Sequence, residues 1–168
     1  LRDYIRDWPY FPGPGIISKD ITPLLGNVSA FNYTISLLAE RYRDLAFDAI
    51  ALVESRGFLF GSPLARELGK SIVLVRKPGK LPAETYATDY DLEYGTNTLE
   101  IHVDGIQKGQ TVLILDDLLA TGGTLSATAR LVEMAGGVVF GMGVVIELSF
   151  LDGRKNLSEY DIHSLIQY

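Results

Sequence analysis

Short, continuous apolar runs alternate along the chain with stretches that carry apolar residues at helical spacing. The runs read DAIALVE, SIVLVRK, QTVLILDD and VVFGMGVVIEL, a pattern typical of strands that are buried on both faces. Between them, a helix is predicted from Ser29 to about Arg43, a second within SRGFLFGSPLARELG that ends at Gly69, and a third within TLSATARLVEMAGG. This alternation predicts an α/β fold, in which a parallel twisted sheet carries helices on both faces.

Three segments depart from the alternation. At the N-terminus, LRDYIRDWPYF has helical spacing and predicts a helix that Pro9 ends, and FPGPGIISKDITPLL predicts an ordered loop. Residues 77–108 are polar and contain two alternating stretches, which predict a β-hairpin with a mobile tip. The tail SFLDGRKNLSEYDIHSLIQY predicts one short helix and a final strand.

Length and composition point to one globular domain. The 168 residues can bury a sizeable core, so a single domain over 1–168 is expected. The net charge of −6 argues against broad binding to nucleic acid or anionic lipid, and no apolar run approaches the about 20 residues of a membrane span. The chain lacks cysteine, which fits a reducing compartment, and a cytoplasmic location is expected. The charged and aromatic start LRDYIRDWPYF does not resemble a signal peptide.

A glycine-rich turn between the third apolar run and the third helix is a candidate anion site. Glycines let the backbone turn sharply and present successive N–H groups, and the helix N-terminus and two threonine hydroxyls add further donors. The spacing matches neither a Walker A loop nor the dinucleotide fingerprint, so an ordinary strand-to-helix turn stays an alternative. The residues are Ala120, Thr121, Gly122, Gly123 and Thr124.

Two adjacent acids, Asp116 and Asp117, stand just before this turn. Neighbouring carboxylates on a buried strand repel each other and lose solvation unless hydroxyl groups or a cation bind them. Vicinal ribose hydroxyls and a nearby divalent cation would suit them, whereas helix capping explains one acid but hardly both. Because the carboxyl ends of parallel strands share one edge of a sheet, the clusters at 54–57, 76–80 and 116–124 are expected to meet there.

The stretch VLILDDLLATGGT resembles the phosphoribosyl diphosphate motif of the type I phosphoribosyltransferases. Further segments resemble the adenine phosphoribosyltransferase family over nearly the whole chain: FPGPGIISKDITPLL, ESRGFLFGSPLARELG, RKPGKLP, YDLEYG and VIELSFLDGR. The resemblance implies the type I fold, with a small hood built from the N- and C-terminal segments and a hairpin lid at 77–108. It also implies the synthesis of AMP and diphosphate from adenine and phosphoribosyl diphosphate with Mg²⁺, which substrate oxygens and water would mainly hold.

The resemblance assigns roles to the residues of these motifs. Asp116 and Asp117 would hold the ribose hydroxyls, and the loop from Ala120 to Thr124 would hold the 5′-phosphate. The SRG turn of Ser55, Arg56 and Gly57 would bind the diphosphate, a role that an arginine and backbone N–H groups suit on their own chemistry. A surface ion pair is the alternative for Arg56.

A basic cluster follows the second apolar run. Arg76, Lys77 and Lys80 could form a solvated charged turn, but the resemblance places them at a homodimer interface, where Arg76 reaches the partner's diphosphate. In the lid, the resemblance places Glu93 at the imidazole edge of the purine, where it manages a proton, and has Tyr94 help close the hairpin. Pro78, where relatives often carry a basic residue, and Glu54, where many carry aspartate, are departures from the family pattern.

The resemblance also implies how the base is bound. The main chain of Lys19 would match the 6-amino group and N1 of adenine, while Ile17 and Leu148 would pack on the ring. His102 and His163 are expected to be structural, because neither has a partner at metal-ligand spacing. Alternative functions are a transferase for hypoxanthine, guanine, xanthine or orotate, and a non-catalytic module that senses phosphoribosyl diphosphate.

Overall fold

The computed structural model describes residues 1–92 and 95–168, and the strands and helices predicted between residues 29 and 147 appear along it in the expected order. No helix in these ranges is long and apolar enough to span a bilayer. The helices are α1 (Thr22–Leu25), α2 (Val28–Tyr42), α3 (Arg56–Leu68) and α4 (Gly123–Met134). The strands are β1 (Arg6–Trp8), β2 (Ser18–Asp20), β3 (Ala49–Val53), β4 (Ser71–Arg76), β5 (Thr85–Leu92), β6 (Gly95–His102), β7 (Thr111–Leu119), β8 (Val138–Glu147) and β9 (Ile162–Gln167).

Across the described residues, seven strands form one sheet in the order β5-β6-β4-β3-β7-β8-β9. The five strands from β4 to β9 in that order run parallel, and the hairpin of β5 and β6 joins antiparallel at the edge of β4. The sheet confirms the predicted α/β class. The hairpin is present as predicted, its mobility stays a prediction, and Glu93 and Tyr94 lie outside the described residues.

Helices cover both faces of the sheet, because successive side chains of a strand point to opposite sides. On β3, Ala49 and Ala51 belong to the buried cluster that includes α4, whereas Ile50 and Leu52 belong to the cluster that includes α2 and α3. All five residues of this strand are buried. The continuous apolar run at β3 therefore reflects burial on both faces, as expected.

Helix boundaries follow the local capping chemistry, with one difference from the prediction. The predicted cap at Ser29 is wrong: the helix begins at Val28, and the Asn27 side chain accepts a hydrogen bond from the Ala30 N–H at 2.9 Å. Asparagine and serine cap equally well, so residue type did not separate the two positions. The predicted end of α3 at Gly69 is confirmed, and this glycine adopts the left-handed conformation with φ of 65°.

The terminal segments differ from the sequence-based prediction. The predicted N-terminal helix is wrong: a single 3₁₀ turn at Arg2–Tyr4 is followed by β1, which pairs antiparallel with β2 inside the predicted loop. A helix of this length is marginal alone, whereas strand pairing adds opposite charges across the hairpin, with Arg6 on Asp20 and Lys19 on Asp7. The tail contains two 3₁₀ helices, Ser149–Leu151 and Gly153–Leu157, rather than one helix, before β9.

Candidate active site

The carboxyl ends of β3 and β7 lie side by side, since Leu52 of β3 pairs with Leu115 of β7. This pairing places the turn after β3 next to the acids and glycines that follow Leu115. A cavity of about 390 Å³ opens between them, within the usual size of a small-ligand site. We call it the phosphate cavity; its walls include Ser55, Arg56, Lys77, Asp116, Asp117, Ala120, Thr121, Gly122, Gly123 and Thr124.

Asp116 is buried inside β7, which continues past both acids to Leu119, so the acids do not mark the end of the strand. Its side chain is only 7% exposed, and Oδ1 accepts a hydrogen bond from the Asp117 N–H at 2.8 Å. Gly57 packs so closely that a Cβ there would lie 3.0 Å from the same oxygen. Burial first, and then the charge of Asp117, raise the pKa of Asp116 well above the ordinary aspartate value.

Asp117 forms an ion pair with Arg56, in which the Arg56 Nε lies 2.8 Å from Oδ2. The carboxylate is nearly buried, whereas the arginine side chain is 55% exposed. Arg56 is the first residue of α3, directly after Ser55, and the peptide bond between Glu54 and Ser55 is cis. Arg56 thus takes part in an ion pair, as the alternative reading of the sequence allowed, but its partner is an acid of the same cavity.

The glycine-rich turn wraps the N-terminus of α4. Gly122 is the N-cap of this 12-residue helix and has φ of 92°, a conformation that favours glycine. The residues at the start of this helix line the cavity, and the N–H groups and positive end of a helix N-terminus suit a phosphate group. Tyr90 of β5 also lines the cavity, so the edge hairpin lies over the turn.

Glu54 links the turn after β3 to the basic turn after β4. Its Oε1 accepts hydrogen bonds from the Arg76 Nε at 3.0 Å and from the Lys77 N–H at 2.9 Å. Burial opposes ionisation of Glu54, but these donors outweigh it and hold its pKa below the ordinary value. Lys77 lines the phosphate cavity, whereas in the described part of the chain Arg76 and the exposed Lys80 do not form its wall.

A second cavity, of about 530 Å³, lies beside the first. We call it the N-terminal cavity; its walls are Arg6, Trp8, Phe11, Ser18, Lys19, Asp20, Ile21, Thr22, Leu25 and Arg56. Arg56 lines both cavities, so the two are neighbours. The side chain of Lys19 is held by Asp7 at 2.7 Å and lies 3.8 Å above the Tyr168 ring, which leaves its main chain as the part suited to ligand recognition.

The structure brings Lys19 to the N-terminal cavity but, as far as the described residues go, not the side chains of Ile17 and Leu148. Ile17 is exposed, and Leu148 packs on the apolar cluster of α2 and α3. Sequence reasoning missed Trp8 and Phe11 as wall residues; an available signal was that each of these aromatics directly precedes a proline, Pro9 or Pro12. It also missed the contacts of Glu54, although a carboxylate directly before an arginine turn pointed to them.

The residues of the phosphate cavity fit a divalent cation that is held mainly by its substrate. Within residues 1–92 and 95–168, no three acidic, histidine or cysteine side chains gather as a metal cage. Two nearly buried carboxylates nevertheless line the cavity, and Mg²⁺ usually binds through one or two carboxylates together with substrate phosphates and water.

This sheet, with acids and a glycine-rich turn at its carboxyl edge, defines a phosphoribosyltransferase domain, and the family model "Phosphoribosyl transferase domain" matches residues 29–165. The adenine phosphoribosyltransferase of Maridesulfovibrio salexigens is 58% identical over 99% of this chain and 98% of its own length. The crystal structure of the enzyme so named from Thermoanaerobacter pseudethanolicus has a TM-score of 0.96 at 57% identity, covering 99% and 96% of the two chains. The chain belongs to the adenine phosphoribosyltransferase family.

A more distant solved structure has the same fold. It is adenine phosphoribosyltransferase from Saccharomyces cerevisiae complexed with D-2,5-dideoxy-2,5-imino-altritol 1,6-bisphosphate and adenine. The TM-score is 0.92 at 38% identity, and the alignment covers 98% of this chain and 96% of the yeast chain.

Proposed function

We propose that this protein transfers the 5-phosphoribosyl group of phosphoribosyl diphosphate to adenine and releases AMP and diphosphate. The observation that carries the proposal is Arg56, which lines both the phosphate cavity and the N-terminal cavity. A sugar diphosphate in the first cavity would meet a planar base in the second at this residue. The names of the relatives, including one solved with adenine, support adenine as the base.

Phosphoribosyl diphosphate would be held at three points of the phosphate cavity. The backbone N–H groups from Ala120 to Thr124 and the start of α4 suit the 5′-phosphate. Asp116 and Asp117 accept hydrogen bonds from the ribose hydroxyls, which compensate the burial of two acids. Ser55 and Arg56 line the cavity and would bind the diphosphate, with Gly57 of the same turn packed on Asp116 and Lys77 adding positive charge from the neighbouring turn.

The chemistry is a displacement at C1′ of the ribose. The bond from C1′ to the diphosphate oxygen breaks with its electron pair on the leaving group, and adenine N9 forms the new bond to C1′. Arg56 and Lys77 stabilise the charge that gathers on the leaving diphosphate. Asp116 and Asp117 would help to hold a substrate-bound Mg²⁺, which would supply neutralisation of the diphosphate charge.

The proton of adenine N9 must leave as the new bond forms, and we assign this task to Glu93 beside the purine imidazole edge. Tyr94 would help the hairpin exclude water, which would otherwise hydrolyse the activated sugar. Both residues follow β5 in the chain, and β5 contributes Tyr90 to the phosphate cavity. These two roles rest on the family resemblance and on that proximity.

Adenine would be read in the N-terminal cavity by the Lys19 main chain, one C=O for the 6-amino group and one N–H for N1. Lys19 lies in β2 of a two-stranded sheet, and each strand of such a sheet has an outer edge free to pair with a ligand. Trp8 and Phe11 supply aromatic wall for the base. Ile17 and Leu148 would contact the ring after a local rearrangement, with the terminal segments acting as a hood.

The protein is proposed to act as a homodimer. On β4, Ile72 and Leu74 are exposed on the face opposite buried Val73 and Val75, which leaves apolar surface directly before the basic turn. A second copy would cover this surface and bring Arg76, Lys77 and Lys80 near its own diphosphate site. We propose the cytoplasm as the location, because the phosphorylated substrates do not cross membranes unaided.

The experiment is incubation with adenine, phosphoribosyl diphosphate and Mg²⁺, followed by chromatography for AMP and diphosphate. Equal amounts of both products are expected. Tight binding of phosphoribosyl diphosphate without any product would overturn the proposal in favour of a sensing module. Product from another base, but not from adenine, would favour a transferase of different specificity.

A further inference from the structure

Outside the proposed catalytic residues, the most deeply buried acid of the C-terminal region is paired with an arginine. Glu147, the last residue of β8, is only 4% exposed. Arg154 binds it with Nε at 2.5 Å from Oε1 and 3.1 Å from Oε2, and donates from Nη1 to the Ile162 carbonyl at 3.1 Å. A pair so well buried on the acid side fixes the position of the chain around Arg154.

Gly153, the residue before Arg154, packs directly on the turn from Ala120 to Gly122. A Cβ at Gly153 would lie 2.4 Å from the Ala120 carbonyl oxygen, and a Cβ at Gly122 would lie 2.6 Å from the Gly153 carbonyl oxygen. The two backbones therefore touch with no room for a side chain. Asp152 turns the chain into this contact in the left-handed conformation, with φ of 52°.

A backbone hydrogen bond also joins the end of β8 to the residue before the turn from Ala120 to Gly122. The Leu148 N–H donates to the Leu119 carbonyl at 2.9 Å, one residue before Ala120. Glu147 is thus joined to both sides of the contact: through the backbone to the strand that leads into the turn, and through Arg154 to the segment that packs on it.

We infer that the Arg154–Glu147 pair positions Gly153 against Ala120–Gly122. This contact determines the backbone geometry with which the turn binds a phosphate monoester. The inference rests on the proposed function, because it assumes that the turn holds the 5′-phosphate. Arg154 touches no substrate in this scheme; it acts through Gly153.

The test measures binding of three separate parts of the substrates by calorimetry: ribose 5-phosphate, inorganic diphosphate and adenine. In Arg154→Gln and in Glu147→Gln, ribose 5-phosphate affinity is expected to fall on the order of 10- to 100-fold, since small misplacements of binding groups have effects of this size. Diphosphate and adenine affinities should change little. In steady-state kinetics of the same two variants, KM for phosphoribosyl diphosphate should rise, whereas KM for adenine should stay unchanged. Arg154→Lys should restore part of the loss.

Two further variants make the test specific. Gly153→Ala disturbs the contact without touching the ion pair and should give the same selective loss. Arg43→Gln breaks the exposed pair of Arg43 with Glu67, 3.2 Å apart, and should leave all three affinities unchanged.

Unchanged ribose 5-phosphate binding in Arg154→Gln and Gly153→Ala, or an equal fall for all three ligands, would overturn the inference alone. Failure of the unmodified protein to bind ribose 5-phosphate would instead overturn the proposed function on which it rests.

Discussion

Arg56 and Asp117 form an ion pair across the phosphate cavity, 61 positions apart in the chain, with Nε 2.8 Å from Oδ2. The proposed function assigns both residues to phosphoribosyl diphosphate, one to its diphosphate and one to its ribose. On that assignment, two residues that bind different parts of the substrate are already in contact with each other. Because the carboxylate is nearly buried, the ion pair also keeps its charge compensated before the substrate binds.

Removal of the Arg56 guanidinium is expected to affect turnover more than binding. Charge gathers on the diphosphate in the transition state, so Arg56→Ala should lower kcat. The activation free energy should rise by on the order of 2–4 kcal/mol. Steady-state kinetics with both substrates varied would measure this. Normal kcat with only a raised KM for adenine would show that the turn does not serve the diphosphate.

Asp117→Asn should weaken phosphoribosyl diphosphate binding and raise the Mg²⁺ concentration needed for half-maximal rate, because it keeps the shape but removes a charge. KM for adenine should change little. The measurement is a titration of rate against both ligands, with Glu67→Gln as a control that neutralises an acid in the exposed pair with Arg43. An unchanged Mg²⁺ dependence would contradict the assignment.

Asp116→Asn is expected to stabilise the ligand-free fold at neutral pH while abolishing substrate binding. The folded-state pKa of Asp116 lies above its ordinary value of 3.8, so ionisation of this carboxyl destabilises the folded protein. This destabilisation is absent below the ordinary pKa and develops as the pH rises through the folded-state pKa. The variant should gain about 0.5–2 kcal/mol in unfolding free energy at neutral pH. Urea unfolding between about pH 4 and pH 8 measures this; a variant less stable than the parent throughout would refute it.

Leu74→Glu should convert the protein to a monomer and reduce its activity, because it places a charge in the apolar surface proposed for the dimer interface. Sedimentation velocity and specific activity would be measured together. Val138→Glu is the matched control, since Val138 is 54% exposed at the start of β8, away from that surface. A parent protein that is a monomer and fully active when dilute would contradict the dimer proposal.

The central sheet could be predicted because each of its central strands is a continuous apolar run that local sequence alone reveals. The run VLIL leads into two acids and a glycine-rich turn, so one short stretch of sequence predicted a buried strand, its acids and the turn that follows it. Parallel pairing then places these beside the turn after β3 without further information.

The contacts that complete the site depend on residues far apart in the chain. Local pattern could not show that Asp117 pairs with Arg56. The N-terminal hairpin is a similar case, since helical spacing in LRDYIRDW competes with strand pairing to residues 18–20. Strand pairing and its cross-strand charge pairs favour the hairpin, and both become visible only once the partner strand is known.

The most direct test of the account is a competition for limiting phosphoribosyl diphosphate between equal concentrations of adenine and hypoxanthine, with Mg²⁺ present and both nucleotides quantified by chromatography. A backbone C=O and N–H matched to a 6-amino group and N1 are left unpaired by a 6-oxo purine that carries a proton on N1. AMP is expected as the dominant nucleotide, and IMP formed in equal or greater amount would contradict the proposed specificity for adenine.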